Sequence, residues 1–568
     1  MSTKQALIYG SQAPELWIKT LGTFLDEQAD RLGGRHALVV PWQNVRFSYR
    51  QLADQSKIVA GALLGAGLGH GDVVGIMAGN RHEYISVFLG AARVGCPVVV
   101  LNMTYTPEEL KNAVRLSSCK AVFIASKISA RNLQSHVRIL RGIELPELQH
   151  IVCFDREQFD PDGIKVQLYE SFVSNFDEAA TMRVQLQCAE SKVSPHDVLN
   201  LQFTSGTTGA PKAAMLTHIN LMNNGRFVGN GLRLTPKDVV CCPPPLFHCF
   251  GLVLGFLACL SHGSTIVFPA DHFDARKVVD SIIREKATVL LGVPTMFVAE
   301  LEILAKSRQK PRHLRVGLAS GAAVSTTLMA KVREQMGISK ILIAYGMTET
   351  SPITFMTGLD DTDDKGRTIG RPTPHIAAKV IDKKGKIVLR GQRGELCTSG
   401  YALQKGYLRN EEKTREVMKT DEDGVRWMHT GDEVMIDDQG FAHITGRIKD
   451  IIIRGGENIF PREIEDRLIS HPAVSDASVV GLKDDKYGEV VASVLKLAEG
   501  SSKPSDQVLR QFVSEKLGRH KAPQHIFWTG DPGVGDDFPK TGSGKIQKHV
   551  LQKIGNDLVR GGGTKAKL

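Results

Sequence analysis

Apolar stretches of strand length alternate with segments of helical spacing along the first third of the chain. Residues 49–64 repeat apolar side chains at the period of an amphipathic helix, and the glycine-rich residues 65–71 are typical of a helix end. Apolar runs at 73–77 and 97–101 predict buried strands, and residues 84–92 between them predict a second helix. This alternation predicts a parallel α/β layer.

The same alternation resumes near residue 196 and changes character twice further along. Strand-like apolar runs recur at 198–203, 264–268, 288–292, 314–318 and 341–344. Short strands and glycine turns then indicate a β-rich region. The last region predicts helices at 461–469 and 506–517 and strands at 474–480 and 490–497, which is the pattern of an α+β domain.

We therefore predict an α/β fold with a large N-terminal domain and a small α+β C-terminal domain. The predicted N-terminal domain is 1–446, the C-terminal domain is 447–560, and a flexible tail is 561–568. Within the N-terminal domain we predict α/β subdomains at about 20–195 and 196–360 and a β-rich subdomain at 361–446.

Composition and charge narrow the class of protein only slightly. With 568 residues, 42% of them apolar and 23% charged, the chain is typical of a globular protein with more than one full-sized domain. Its net charge of +10 fits anionic ligands such as ATP or coenzyme A, but a generic basic surface would give the same value. Neither an arginine-rich arm nor zinc-finger spacing is present, so we do not expect a nucleic-acid partner.

The cysteines and one long uncharged segment argue against a disulfide-rich protein, a cysteine metal site and a transmembrane protein. Nine cysteines without a C-x-x-C pair indicate reduced intracellular thiols rather than a disulfide framework or a metal site. Residues 239–270 lack Lys, Arg, Asp and Glu, but prolines and glycines interrupt them, and the helix-like part at 250–260 is too short to cross a bilayer. We predict a buried core helix there and no transmembrane segment.

The stretch TSGTTGAPK, residues 204–212, has the composition of an oxyanion-binding loop. Its hydroxyl side chains are Thr204, Ser205, Thr207 and Thr208, its turn residues are Gly206 and Gly209, and its cation is Lys212. A nest of backbone and hydroxyl donors with one lysine suits the phosphates of a nucleoside triphosphate. The spacing is not that of a Walker A loop, and alone the stretch could equally be a surface turn.

With its downstream Thr-His pair, this stretch resembles the phosphate loop of the adenylate-forming superfamily, which includes acyl-CoA synthetases, aryl-CoA ligases, beetle luciferases and peptide-synthetase adenylation domains. The chain departs from the family at Ala213, where glycine is usual. Four further segments resemble the later family signatures in the same order: YGMTETSP at 345–352, WMHTGD at 427–432, GRIKDIIIRGGENIFPREI at 446–464 and FPKTGSGKIQK at 538–548. The resemblance covers nearly the whole chain and is strongest to medium-chain fatty-acyl-CoA synthetases.

The resemblance implies a role for each matching residue of the nucleotide site. Tyr345 would flank adenine, where its ring can stack on a base, and Thr348 would lie near the α-phosphate. Glu349 would hold Mg²⁺, which prefers carboxylate oxygen, with Thr204 as a second metal ligand. Asp432 would accept hydrogen bonds from the vicinal ribose hydroxyls.

The remaining signatures imply roles in the second domain and at the acyl group. Arg447 would contact ribose or phosphate, and Lys449 would be the hinge between the domains. Gly455 and Gly456 would face coenzyme A after the small domain rotates, and Lys545 would be the catalytic lysine. The predicted acyl pocket is formed by His248, Ser320, Gly321 and Ala322.

The implied activity is that of an ATP-dependent acyl-CoA synthetase with ATP, Mg²⁺ and coenzyme A as cofactors. A carboxylic acid would be activated as acyl-AMP with release of pyrophosphate and then transferred to coenzyme A. A medium-chain fatty acid is the expected substrate. An aryl, branched or hydroxy acid of a specialised pathway, such as siderophore synthesis, is the alternative.

Three other activities stay open on the sequence. The chain could load a carrier protein in trans, or it could be a luciferase-like oxygenase, which shares every motif. A non-catalytic binding protein is disfavoured because Glu349, Asp432, Arg447 and Lys545 are all present.

The C-terminal tripeptide Ala566-Lys567-Leu568 resembles the peroxisomal Ser-Lys-Leu address. Gly561, Gly562 and Gly563 precede it, and flexible chain of this kind would leave it accessible to a peroxisomal import receptor. We expect a peroxisomal location, or a cytoplasmic one if the tripeptide is only a frayed end.

Overall fold

The structure is a computed structural model that describes residues 3–142, 144–155, 166–174, 180–204, 211–307, 309–321, 326–361, 368–455, 457–541 and 545–562. These residues form two compact units. The larger unit contains Tyr9–Ala377 and Thr398–Met428, and the smaller one contains Met1–Ile8, Ala378–Cys397 and His429–Leu568. The predicted domain bounds are a different division of the chain and stay a prediction.

Helices and strands alternate over the first part of the chain, as the sequence predicts. The strands are β1 Leu7–Tyr9, β2 His36–Val40, β3 Val45–Ser48, β4 Val73–Met77, β5 Val98–Val100, β6 Cys119–Ile124, β7 Lys127–Ile128, β8 Arg131–Asn132, β9 His150–Cys153 and β10 Gln167–Leu168. The helices are α1 Leu21–Leu32, α2 Tyr49–Gly65, α3 His82–Arg93, α4 Pro107–Ser117, α5 Gln134–Leu140, α6 Tyr169–Ser174 and α7 Ala180–Ser191.

The second region repeats the alternation. Its strands are β11 Val198–Thr204, β12 Lys212–Thr217, β13 Val239–Cys241, β14 Thr265–Val267, β15 Val289–Gly292, β16 Val316–Ser320, β17 Lys340–Gly346 and β18 Ile353–Met356. Its helices are α8 His218–Gly231, the π-helix Phe250–Leu257, α9 Ala258–His262, α10 Ala275–Arg284, α11 Pro294–Lys306 and α12 Thr326–Met336.

The remaining elements follow the predicted change to β-rich and then α+β structure. The strands are β19 Thr368–Pro372, β20 Ile376–Ile381, β21 Arg393–Gly400, β22 Met418–Thr420, β23 Arg426–Ile436, β24 Ala442–Arg447, β25 Ile452–Arg454, β26 Glu457–Ile459, β27 Val474–Asp484, β28 Gly488–Leu497 and β29 His525–Trp528. The helices are α13 Glu411–Val417, α14 Pro461–Ile469, α15 Asp506–Ser514 and α16 Lys548–Gly562.

Two sheets organise the larger unit. One has the strand order β10-β9-β6-β4-β5-β11-β12, and it is parallel except for the final antiparallel pair. The other contains the run β19-β18-β17-β16-β15-β13-β14-β2-β3, whose strands between β17 and β2 are parallel. The predicted α/β class is therefore confirmed.

Local sequence signals account for several helix starts. Ser48 and Gln51 form a capping box at α2, and Thr217 and Asn220 form another at α8. Thr217 is the threonine of the Thr-His pair after the phosphate loop. His218, wholly buried, accepts a hydrogen bond on Nδ1 from the Leu21 backbone N–H at 3.1 Å, and burial lowers its pKa to about 4. The Thr-His pair thus holds helix α8 in place.

The predicted core helix at 250–260 is buried, but its geometry differs from an α-helix. Residues 250–257 form π-helical turns before α9 begins. In the smaller unit, α14 and α15 contribute to an apolar cluster with Ile452, Val479 and Trp528, whereas Leu551 of α16 packs with Leu482 and Phe538. Within the described ranges, none of the helices has both the length and the apolar character that crossing a bilayer requires.

Candidate active site

The strands on either side of the predicted phosphate loop form one antiparallel pair. β11 and β12 pair along their length, and Thr204 lies opposite Lys212. Ser205, Gly206, Thr207, Thr208 and Gly209 lie outside the described residues. The pairing fixes the strand residues at both ends of the predicted loop.

A segment from much later in the chain covers the free edge of β12. The backbone N–H of Lys405 donates to Met215 O at 2.9 Å, and Met215 N–H donates to Gly406 O at 3.0 Å. Leu408 N–H donates to Ala213 O at 2.8 Å. Residues 405–408 therefore extend the sheet beside the phosphate loop, and this includes position 213, where the family usually has glycine.

This added segment joins the phosphate loop to the predicted metal ligand. Tyr407 donates its hydroxyl proton to Glu349 Oε1 at 2.8 Å, and Lys212 Nζ lies 5.4 Å from the centroid of the Tyr407 ring. Glu349 is in the 3₁₀ turn Thr348–Thr350 and is only 6% exposed. Burial and the neighbouring Glu349 charge raise the pKa of Tyr407, so its hydroxyl stays protonated.

The predicted adenine and acyl residues lie on two neighbouring parallel strands. Ser320 ends β16 opposite Ala344 of β17 and donates its hydroxyl proton to Ala344 O at 2.8 Å. Tyr345 follows, with its ring 6.2 Å from that of Phe355 in an edge contact. Gly346 is required because a Cβ there would lie 1.8 Å from Pro352 O. Strand pairing therefore places Ser320 beside Tyr345, at the carboxyl ends of the strands.

Two further acyl-pocket residues are described and one is not. Gly321 follows Ser320 with φ of +83°, a conformation that favours glycine. Ala322 lies outside the described residues. His248 is partly buried just before the π-helix, and its Nδ1 accepts a hydrogen bond from the Phe250 N–H at 3.1 Å. That bond fixes the tautomer of His248 with its proton on Nε2 when the ring is neutral.

In the smaller unit, the predicted ribose ligand pairs with the predicted ribose or phosphate cation. Asp432 on β23 lies opposite Arg447 on β24, and Arg447 Nε is 3.1 Å from Asp432 Oδ1. The Asp432 side chain is 5% exposed, whereas that of Arg447 is 49% exposed. The pair joins a buried carboxylate to an accessible guanidinium group.

The part of β23 just before Asp432 is held by the neighbouring strand β21. Glu395 on β21 accepts hydrogen bonds from the Gly431 N–H at 3.2 Å and from the His429 ring at 3.0 Å. The Thr430 hydroxyl donates to Leu396 O at 2.8 Å and accepts from the Asp432 N–H at 3.1 Å. These bonds fix the backbone that carries Asp432.

The remaining predicted residues follow β24 along the chain. Lys449 is in the 3₁₀ turn Ile448–Asp450, where burial raises the pKa of Asp450. Gly455 has φ of +59° and donates its N–H to Tyr487 O at 2.8 Å, while Gly456 lies outside the described residues. Lys545 is exposed, and its backbone exchanges hydrogen bonds with Thr541 at 2.8 and 3.1 Å.

The structure thus brings the predicted residues into local groups within each unit. Thr204, Lys212 and Glu349 are linked through Tyr407, and Asp432 is linked to Arg447. Tyr407 and Glu395 were not predicted. Tyr407 is 58 positions from Glu349, so no local spacing could have revealed their contact.

The larger unit thus holds the β11–β12 pair and the buried acidic turn, and the smaller unit holds the Asp432–Arg447 pair. The model for the AMP-binding enzyme family matches residues 25–408, and that for its C-terminal domain matches residues 463–545. The chain belongs to the AMP-binding enzyme family.

Curated relatives and solved structures agree with this assignment. The chain is 47% identical to acyl-CoA ligase sidI of Beauveria bassiana over 98% of this chain and 96% of that protein. It is 34% identical to the mitochondrial medium-chain acyl-CoA ligase ACSF2 of Bos taurus over 94% of this chain and 87% of that protein. ATP-bound MatB of Rhodopseudomonas palustris matches with a TM-score of 0.77 and 27% identity, over 94% of this chain and 99% of that one. The protein is an acyl-CoA ligase.

Proposed function

We propose that this ligase activates a medium-chain fatty acid as acyl-AMP and transfers the acyl group to coenzyme A. The contact that carries the proposal is the link from the phosphate-loop strand through Tyr407 to Glu349, because it sets a cation and a buried carboxylate beside the predicted triphosphate position. Resemblance to medium-chain synthetases supports the choice of acid, as does the 34% identity to ACSF2.

The first half-reaction has an electrostatic obstacle that these residues address. A carboxylate must approach an anionic α-phosphate, and its own oxygen is a poor leaving group until AMP is attached. Lys545 would bind both anions, Thr348 would contact the α-phosphate, and the loop from Thr204 to Lys212 would hold the departing pyrophosphate. Asp432 would hold the ribose hydroxyls, and Tyr345 would flank the adenine.

Glu349 fits a Mg²⁺ ligand because it is a buried carboxylate whose Oε1 is already oriented by a neutral donor. Thr204, at the end of β11, would supply a hydroxyl oxygen. A magnesium ion held there would offset the negative charge of the phosphates.

The second half-reaction needs access for a thiol at the acyl carbon that Lys545 contacts in the first. We propose that the chain turns at Lys449, withdraws Lys545 and presents the Gly455-Gly456 loop to coenzyme A. Lys545→Ala should abolish acid-dependent ATP–pyrophosphate exchange but spare thioester formation from supplied acyl-AMP. Equal loss of both half-reactions would contradict this role of Lys545.

A second class of substrate is favoured by the distribution of identities. The three fungal acyl-CoA ligases at 45–47% identity are closer in sequence than ACSF2, and their names specify no chain length. We keep an aryl, branched or hydroxylated acid as the alternative substrate.

Pyrophosphate release across a panel of acids distinguishes these proposals. The panel runs from C2 to C18 fatty acids, with cinnamic, benzoic and short hydroxy acids, each with and without coenzyme A. Turnover confined to medium-length chains and dependent on coenzyme A supports the first proposal. Faster turnover of a hydroxy, branched or aryl acid selects the alternative, and release without a coenzyme A requirement points to another acceptor.

We also propose that Ala566-Lys567-Leu568 is read by a peroxisomal import receptor. These residues lie outside the described part of the chain, and the support is the sequence of the tripeptide and the glycines before it. A fluorescent fusion at the N-terminus should be peroxisomal, and removal of the last three residues should leave it cytoplasmic.

A further inference from the structure

We propose that Tyr407 is a positioning residue that orients the Glu349 carboxylate toward the metal ion of the nucleotide and supports the Lys212 ammonium group beside the phosphate loop. The inference rests on the roles proposed above for Glu349 and Lys212. Tyr407 contacts both residues, since its hydroxyl donates to Glu349 and its ring lies beside the Lys212 ammonium group.

The hydroxyl group of Tyr407 restricts a side chain that would otherwise rotate. The terminal torsion of a glutamate has a broad preference, so the plane of its carboxylate is set by its partners. Tyr407 holds Oε1 at 2.8 Å, and the backbone O of Glu349 accepts from the Gln404 N–H at 2.9 Å. With one oxygen and the backbone fixed, the direction of the second oxygen is defined. This is how residues around a metal site orient its ligands.

Burial keeps this hydrogen bond intact. Tyr407 is 5% exposed and Glu349 is 6% exposed, so water competes little for either group.

The ring of Tyr407 has a separate role at Lys212. Its centroid lies 5.4 Å from Lys212 Nζ, within the range of a cation–π contact. Ala214 pairs with Tyr407 in an antiparallel bridge, which fixes the tyrosine backbone on the edge of β12. The ring therefore supports the ammonium group at the loop end before any phosphate is present.

Two substitutions separate the hydroxyl from the ring. Tyr407→Phe removes the hydroxyl and with it the bond to Glu349, and Tyr407→Leu removes the ring as well. Tyr49→Phe is the matched control. Tyr49, the first residue of helix α2, is wholly buried, and its hydroxyl donates to Ser264 O at 2.8 Å. Glu349→Gln reports whether Glu349 itself binds the metal.

The direct readout is equilibrium binding of Mn²⁺ in the presence of a non-hydrolysable ATP analogue, followed by the Mg²⁺ dependence of ATP–pyrophosphate exchange. We expect Tyr407→Phe to weaken Mn²⁺ binding roughly tenfold and to raise the Mg²⁺ concentration for half-maximal exchange by a similar factor. Both values should stay at the wild-type level in Tyr49→Phe. Tyr407→Leu should in addition weaken binding of the analogue measured without a divalent ion.

Three results would overturn the inference. Wild-type Mn²⁺ affinity in Tyr407→Phe would show that the hydroxyl does not orient the ligand, and an equal loss in Tyr49→Phe would show a general effect of a missing buried hydroxyl. If Glu349→Gln loses Mn²⁺ affinity while Tyr407→Phe keeps it, only the inference fails. If Glu349→Gln keeps wild-type affinity, the metal role proposed for Glu349 fails as well.

Discussion

Glu395 supports the backbone beside Asp432, the predicted ribose ligand. The Glu395 carboxylate accepts from Gly431 and His429, and the same part of β23 is held to β21 through Thr430. Since Asp432 follows directly on this strand, the position of its carboxylate depends on these bonds. The residues that support this predicted ribose ligand therefore extend beyond the WMHTGD signature.

Removing this support should weaken nucleotide binding more than turnover. We expect Glu395→Ala to raise the KM for ATP roughly tenfold with little change in kcat. Hydrogen bonds to a charged group contribute about 1.5–3 kcal/mol, and only part of that energy affects the position of Asp432. Discrimination between ATP and 2′-deoxy-ATP should fall, because the ribose hydroxyls lose their fixed acceptor. Glu285→Ala, which breaks the surface pair with Arg46 at 2.7 Å, is the control. An unchanged discrimination ratio would contradict the positioning role.

Glu300 on α11 couples stability to pH. It is wholly buried, and neither of its carboxylate oxygens has a hydrogen-bond partner among the residues that the structure describes. Burial raises its pKa well above the usual value. At a pH below the pKa that Glu300 has in the unfolded chain, Glu300 is protonated in both the folded and the unfolded protein. Its ionisation then does not change the free energy of unfolding. As pH rises towards the folded-state pKa, the unfolded state releases a proton that the folded state retains, so stability falls.

Glu300→Gln should remove this loss because the amide stays neutral. Relative to the wild type, the variant should gain stability as pH rises from 5 to 8, by up to ~1.4 kcal/mol per pH unit, seen as a thermal midpoint about 1–3 °C higher at pH 8. The matched control is Glu302→Gln, because Glu302 is exposed on the same helix. A difference in midpoint that does not vary with pH would show that Glu300 is already ionised in the folded protein.

At the scale of elements, glycines determine the course of the buried helix after His248. A Cβ at Gly251 would lie 2.4 Å from Pro245 O, and one at Gly255 would lie 2.6 Å from Cys242 Sγ. The helix therefore packs against the loop that leads into it. Sequence spacing predicts that the segment is a helix and buried, but the close backbone approach and the π-helical turns come from this packing.

Gly251→Ala should be strongly destabilising because the added methyl group meets backbone rather than a movable side chain. We expect the thermal midpoint to fall by several degrees. The rate of acyl transfer should also fall, because His248 lies in the loop that the added methyl group displaces. Gly65→Ala at the end of α2 is the control, because no atom lies within 4 Å of its added Cβ. An equal midpoint in the two variants would mean that the loop relaxes without cost.

The sequence predicts element types better than it predicts which elements join. The strands 73–77 and 198–203 and the helix 461–469 are confirmed, since their apolar patterns are local. By contrast, β2 and β3 precede β4 but pair in a different sheet, while β11 and β12 join the sheet of β4. Pairing between distant strands depends on how the connecting helices pack. The local spacing of apolar residues does not indicate this packing. The Tyr407–Glu349 contact was unpredictable for the same reason.

At the scale of the molecule, one cluster in the smaller unit spans the predicted hinge. Arg393 on β21 pairs with Glu463 of α14 at 3.1 Å, and its guanidinium lies 5.0 Å from the Phe460 ring. Glu463 also pairs with Lys521 at 2.5 Å, and the two cations hold the pKa of its carboxyl below the usual value against the effect of burial. Residue 393 precedes Lys449 and residues 460 and 463 follow it, so a turn at Lys449 must change the Arg393 contacts.

Loss of Arg393 should therefore alter the balance between the two half-reactions. We expect Arg393→Ala to change the ratio of ATP–pyrophosphate exchange to thioester formation from supplied acyl-AMP by roughly three- to tenfold, because a partly exposed charge cluster of this kind contributes only about 1 kcal/mol to one conformation. Arg462→Ala is the control, since it breaks an ion pair with Asp466 on the same helix α14 without crossing the hinge. If Arg393→Ala slows both half-reactions by one common factor, these contacts persist in both conformations and the turn does not occur at Lys449.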